Sequence, residues 1–364
     1  MSDSVAPSPA LKPIQKKPFA GLLSGPGRAR SFARFVLACA WYMAAVRLAA
    51  LVGWFTRGDF AELLYRCGLL ILLLVGYSLL GMVLDGQDEP FKAMGLVKRK
   101  TAARELGIGA ALGWGLVVLA VLPMALTGSL YIDFWHTPRI FFLFALNLGV
   151  IAASSLAEEL VFRGYPFQRL IEATGPTAAT VLMAIFFGLE HMSNTNASLT
   201  SVLVTMLAGV LLSIAYLRTR ALWLPWGLHL AWNLSMGGFF GLPVSGSTDF
   251  ATVVQTNAVG PRWLTGGEYG PEAALATFVV LLVGIVVLMR VTRDYAWEYT
   301  HRPIVAAGYA MEVAPPRAHV EMESKAATAP QLIQIAATTP QEASLHGNWG
   351  READSAAAQQ HDKK

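Results

Sequence analysis

Glu158 and Glu159 close a long apolar run, with Arg163 a helical turn further on. An ionised carboxylate at bilayer depth is costly unless it is paired, so such acids are read as functional. In a helix Glu159 and Arg163 are i,i+4 neighbours in the favourable acid-first order, and Glu158 is turned about 100° away. That spacing neutralises one acid and leaves Glu158 free to handle protons. His191 ends a second apolar run, and His229 and Asn233, again i,i+4, share one face of a third. Taken singly, each reads more readily as an interhelical hydrogen-bond partner than as chemistry. Together, two acids, two histidines and an amide on separate apolar stretches are too many costly groups for packing alone. They supply a general base, a proton shuttle and an oxyanion donor. Water is a poor nucleophile until a base takes its proton. The tetrahedral oxyanion then needs preorganised donors, which an imidazole N–H and an amide NH2 can provide.

The same donors leave a metal reading open. Glu158, His191 and His229 match a three-ligand zinc site with an open position. No His-Glu-x-x-His spacing fixes two ligands on one helix, and the amide of Asn233 suits harder cations. Metal-free activation of water by a glutamate is favoured, with no cofactor required and zinc as the alternative.

The elements that position these residues are apolar. Hydrophobic residues make up 54% of the chain and charged ones 14%, well below the quarter usual in a water-soluble globule. The reading is an all-α, polytopic membrane bundle of about eight transmembrane helices enclosing a polar cavity. The apolar stretches lie near 32–55, 63–84, 105–127, 139–160, 176–191, 199–217, 222–239 and 273–290. The fifth and seventh are short, as expected of helices ringed by others or ending in a cavity. The depths of the polar residues converge only if the fourth helix continues, tilted, to about Arg169 and the fifth sinks toward the cytoplasm. Lysines and arginines cluster at one set of ends, as at Lys92, Lys98, Arg99 and Lys100. The opposite side holds Arg57, Arg66, Arg139 and Arg262. This bias puts both termini in the cytoplasm. The net charge of +4 is too mild, and too concentrated in loops, for nucleic acid.

Residues 1–30 read as a disordered basic arm, 31–295 as the membrane domain with its motif-bearing core at 139–240, and 296–364 as a disordered tail. No apolar region precedes a small-residue cleavage site, so the first hydrophobic run is expected to stay as an anchor. Asp85–Lys100 reads as a surface loop and 241–271 as a solvated connector rather than a lid. Cys39 and Cys67 fall in apolar runs and read as packing residues.

Glu158-Glu159-Leu-Val-Phe-Arg163, Phe187-Gly-Leu-Glu-His191 and His229-Leu-Ala-Trp-Asn233, in that order, resemble the signature of the CAAX protease and bacteriocin-processing (CPBP, or Abi) family. That family includes the Ras-converting CAAX endopeptidases. The likeness spans roughly residues 95–295, with no departure at the motif positions. It implies hydrolysis of a peptide bond near the C-terminus of a membrane-associated substrate, prenylated in the eukaryotic members. On the matching positions, Glu158 is expected to activate water held by His191, and His229 with Asn233 to polarise the scissile carbonyl. Glu159 and Arg163 are expected to hold the first acid, and Phe187 to pack beneath the site. The competing class is a non-catalytic membrane scaffold or bacteriocin self-immunity protein of the same fold. A proton-relay transporter is disfavoured because no inverted repeat is visible. The plain N-terminus and the lack of a retention signal fit a bacterial inner membrane.

Overall fold

Every apolar stretch read from the sequence falls on a helix of the computed structural model, which describes residues 27–248 and 252–293. Apart from residues 27–30, the expected basic arm lies outside the described residues, as does the C-terminal tail. The elements run α1 (Arg28–Phe55), α2 (Ala61–Leu84), α3 (Pro90–Ala93), α4 (Ala102–Leu126), β1 (Leu130–Phe134), α5 (Pro138–Phe162) and α6 (Tyr165–Thr174). They continue with α7 (Pro176–Glu190), α8 (Leu199–Thr219), α9 (Trp223–Asn233), β2 (Val254–Ala258), α10 (Arg262–Thr265) and α11 (Leu275–Val291).

Five segments are long and apolar enough to cross a membrane: Arg28–Leu51, Ala61–Leu84, Ala102–Leu126, Pro138–Thr174 and Leu199–Thr219. α11 is apolar but has 17 residues, and α7 and α9 have 15 and 11. Ile71, Leu79, Leu119, Phe141, Val279 and Val286 stand exposed on the outer faces of their helices. A helix apolar all round suits lipid on one side and protein on the other.

The segment Pro138–Thr174 has 37 residues. As one rod it would run about 55 Å at 1.5 Å per residue, nearly twice the hydrocarbon thickness. It breaks instead. At Gly164 a Cβ would press on the carbonyl of Leu160, and Pro166 begins the first turn of α6. The single tilted helix expected through Arg169 is therefore two helices. α6 is amphipathic and buries Tyr165, Phe167 and Leu170 against the core. Its buried Arg169 pairs with Asp85 at 3.2 Å and Glu172 at 2.7 Å, and Arg34 pairs with Asp85 at 2.7 Å. One ion network thus ties α1, the end of α2 and α6.

Two loop expectations are corrected. The 85–100 segment is not wholly at the surface: the Asp85 carboxylate and Met94 are buried, and Gly95 accepts a hydrogen bond from Leu222 N–H at 2.8 Å. The 241–271 segment is more than a solvated connector, because Leu242, Val244 and Leu264 pack into the core beside α4, α9 and α11. It also carries β2, which pairs antiparallel with β1 (Ile132 opposite Thr256), so the fold is mostly rather than wholly helical.

The helix bearing His229 is seated by glycines. On α4, Gly109 and Gly113 form a small-xxx-small pair at which an added Cβ would meet the carbonyls of Leu224 and Leu228 on α9. Gly227 on α9 returns the contact against Leu106. Backbones this close leave no room for a side chain. Gly113→Val should lower stability by roughly 1–3 kcal/mol through overpacking, read as a lower melting temperature of the detergent-solubilised protein. An unchanged melting temperature would refute the close seating.

Candidate active site

The last turn of α5 presents its two acids to different surroundings. Glu159 has no exposed surface, whereas the side chain of Glu158 is 28% exposed and faces a cavity of about 990 Å³. Glu159 Oε1 accepts from Arg163 Nη1 at 3.0 Å, so the i,i+4 pair forms. The same oxygen accepts from His229 Nδ1 at 2.8 Å. The other oxygen, Oε2, is buried without a partner among the described residues. Arg163, also fully buried, donates from Nη2 to the Gly209 carbonyl of α8 at 3.2 Å. Its guanidinium carbon lies 4.6 Å from the centre of the Phe187 ring, within cation–π range. α5, α8 and α9 are therefore joined through one buried carboxylate–guanidinium pair.

An ionised carboxylate only accepts, so His229 Nδ1 carries the shared proton. That leaves Nε2 pointing at Glu158 Oε2, 3.7 Å away. The distance exceeds a hydrogen bond but lies within ion-pair range. His191 is fixed in a parallel way: its Nδ1 donates to the Phe187 carbonyl at 2.8 Å, with Glu190 Oε2 at 3.3 Å. Both imidazoles thus use Nδ1 for support and keep Nε2 for the site. Phe187 lies between them, its ring centre 4.6 Å from His191 and 6.2 Å from His229. Phe162 packs edge-on against the same ring at 4.9 Å.

Glu158, Phe187, His191, His229 and Asn233 all line the cavity, while Glu159 and Arg163 stand behind it. Glu159 bonds both Arg163 and His229, and Arg163 bonds Glu159 and the Gly209 carbonyl. Among the described residues no group of three or more His, Cys, Asp or Glu side chains stands together as a metal site.

The cavity also holds polar residues that sequence reasoning passed over. Glu190 sits inside the Phe187–His191 motif, where its charge within an apolar run was the available signal; its carboxylate accepts from Tyr42 at 3.2 Å. Glu62 and Arg66, an i,i+4 pair at 2.6 Å on α2, line the same wall. The lining also carries apolar residues, among them Val204, Leu211, Leu212 and Leu281.

The long apolar helices make this an integral membrane protein. Residues 138–235 match the family model described as type II CAAX prenyl endopeptidase, Rce1-like, and form a domain of that CPBP family. The match over these residues implies a peptidase. No curated protein and no solved structure matches the chain.

Removing one partner of a buried ion pair strands the other. Arg163→Met should cost roughly 3–5 kcal/mol, seen as a loss of denaturant resistance. The double change Glu159→Gln with Arg163→Met should recover part of that loss. A double variant no more stable than Arg163→Met would show that the two side chains do not act as a pair.

Proposed function

We propose that this chain is an intramembrane endopeptidase that hydrolyses a peptide bond near the C-terminus of a membrane-associated or lipidated substrate. The observation that carries the reading is the meeting of the partly exposed Glu158 with the Nε2 edge of His229 at a cavity wall, with Glu159 fixing the far side of the ring.

In this reading Glu158 takes the proton from a water held by His191 Nε2. The hydroxide adds to the scissile carbonyl from that side. His229, doubly protonated, donates from Nε2 to the developing oxyanion, and Asn233 donates from its amide. Glu159 and Arg163 act through His229: the carboxylate holds the ring's tautomer and orientation, and the guanidinium keeps the carboxylate in place. Glu158 then passes its proton to the leaving amine. No metal is needed for these steps.

The placement we propose is an eight-span bundle, with α5 and α6 forming one broken span and both termini in the cytoplasm of a bacterial cell. The cavity then lies within the membrane. Its polar wall at Glu62, Arg66 and Glu190 suits the peptide backbone, and its apolar wall on α8 and α11 suits a lipid chain or apolar side chains. Family membership supports a prenylated protein as substrate.

Purified protein given a fluorescent C-terminal peptide, with and without an isoprenoid chain, tests this directly. Wild type should cleave, and Glu158→Ala should lose at least about a thousandfold in kcat, the scale of removing a general base together with its water. His191→Ala should also lose activity. Cleavage that survives in Glu158→Ala would end the assignment, and absence of cleavage by wild type on every peptide would leave a binding role. Adding a chelator to the same assay should leave the rate unchanged. A loss restored by zinc would make the metal reading the correct one.

A further inference from the structure

The family-matched segment stops at residue 235, yet one wall of the cavity is built by residues beyond it. Val244–Thr248 line that wall, and Glu272 stands among them. Both oxygens of Glu272 are committed. Oε1 accepts from the Trp232 indole N–H at 2.6 Å. Oε2 accepts from the Ser245 hydroxyl at 2.9 Å and from the Ser245 backbone N–H.

Ser245 has φ +48°, a left-handed conformation unfavourable for a residue with a Cβ. Such a conformation persists only where the surroundings over-determine it. The bonds to Glu272 do so, together with a bond from the Asn194 amide to the Ser245 carbonyl at 3.0 Å. Gly246 follows at φ +82°, with its N–H bonded to the Tyr269 carbonyl at 3.0 Å. This turn is held in one shape.

Trp232 is the neighbour of Asn233. α9 ends at Asn233 and the chain continues as a π-helical turn, Leu234–Phe239. A π turn departs from the regular helical register just where α9 ends, and Glu272 holds the Trp232 side chain immediately before it.

We propose that Glu272 is a positioning residue: by holding the Trp232 indole and the strained Ser245 turn with one carboxylate, it fixes the end of α9 and aims Asn233 into the cavity. Both of its oxygens serve these holding bonds. The effect on turnover rests on the endopeptidase reading; the effect on geometry does not.

Glu272→Gln keeps the size and removes one acceptor oxygen, so the indole and the turn can no longer both be held. It should lower kcat by about tenfold to a hundredfold, with KM within about twofold, as for a small misplacement of a transition-state donor. Added to Asn233→Ala it should cause no further loss, because the two act on the same group. An additive loss would assign Glu272 a merely structural role.

A second readout needs no catalysis. In a Cys39→Ser, Cys67→Ser background, the rate at which Asn233→Cys reacts with a small water-soluble maleimide should change at least about fivefold once Glu272→Gln releases the turn, because the side chain at 233 no longer keeps its place in the cavity lining. An unchanged rate in protein that elutes as folded overturns the proposal. Should Glu272→Gln fail to fold, Trp232→Phe removes the indole donor alone and carries the same labelling test. If wild type cleaves no peptide, the endopeptidase reading falls while the labelling still judges Glu272.

Discussion

A charged carboxylate with no exposed surface, set among helices whose outer faces are Ile, Leu, Val and Phe, survives only if every neighbour is arranged to receive it. Glu159 is that group. Its Oε1 is shared between Arg163 on its own helix and His229 on α9, and Arg163 reaches on to a backbone carbonyl of α8. In a low-dielectric interior such links are strong, and each becomes a liability if its partner is displaced. The pair therefore does more than neutralise charge. It dictates where three helices meet, and it leaves Glu158, one residue earlier and about 100° round the helix, as the acid that faces open space.

Much of the rest of the fold can be understood as what this junction demands. α5 has to stop where Arg163 turns inward, and Gly164 with Pro166 stops it. α9 has to come close enough for His229 to reach Glu159, and the glycines of α4 and α9 allow that approach. Phe187 has to fill the space between two imidazoles and a guanidinium, which a flat aromatic ring does while offering its face to the cation. Close to the break between α5 and α6, Asp85 between Arg34 and Arg169 performs a similar service for α1, α2 and α6. These two buried ionic centres help to pin the helices, and apolar packing fills the space between them.

The loops outside the family-matched segment complete the cavity. A segment rich in glycine and proline, which reads as solvated from composition, becomes a wall because its few apolar residues find the core and one distant acid finds three donors on two residues. Glycine-rich composition reports freedom of the backbone, not the place where the chain comes to rest.

The motif residues were legible in sequence because charge in an apolar run is expensive and helical spacing is regular. The i,i+4 relation alone foretold that Glu159 and Arg163 would pair, and the lengths of the apolar stretches foretold the helices. Glu190, Glu62 and Arg66 were harder to see, since a charge near a helix end is as well explained by solvent. Glu272 carried no local signal: its partners, Trp232 and Ser245, lie 40 and 27 residues away. The sequence by itself thus determined which segments are helical and apolar and which polar groups they carry, because both follow from periodicity and hydration energy along the chain. Only the tertiary structure decided that Glu159 supports His229, that α5 breaks before α6 and that Glu272 closes on Trp232. Those outcomes depend on contacts between distant segments, where the choice of partner is set by three-dimensional packing.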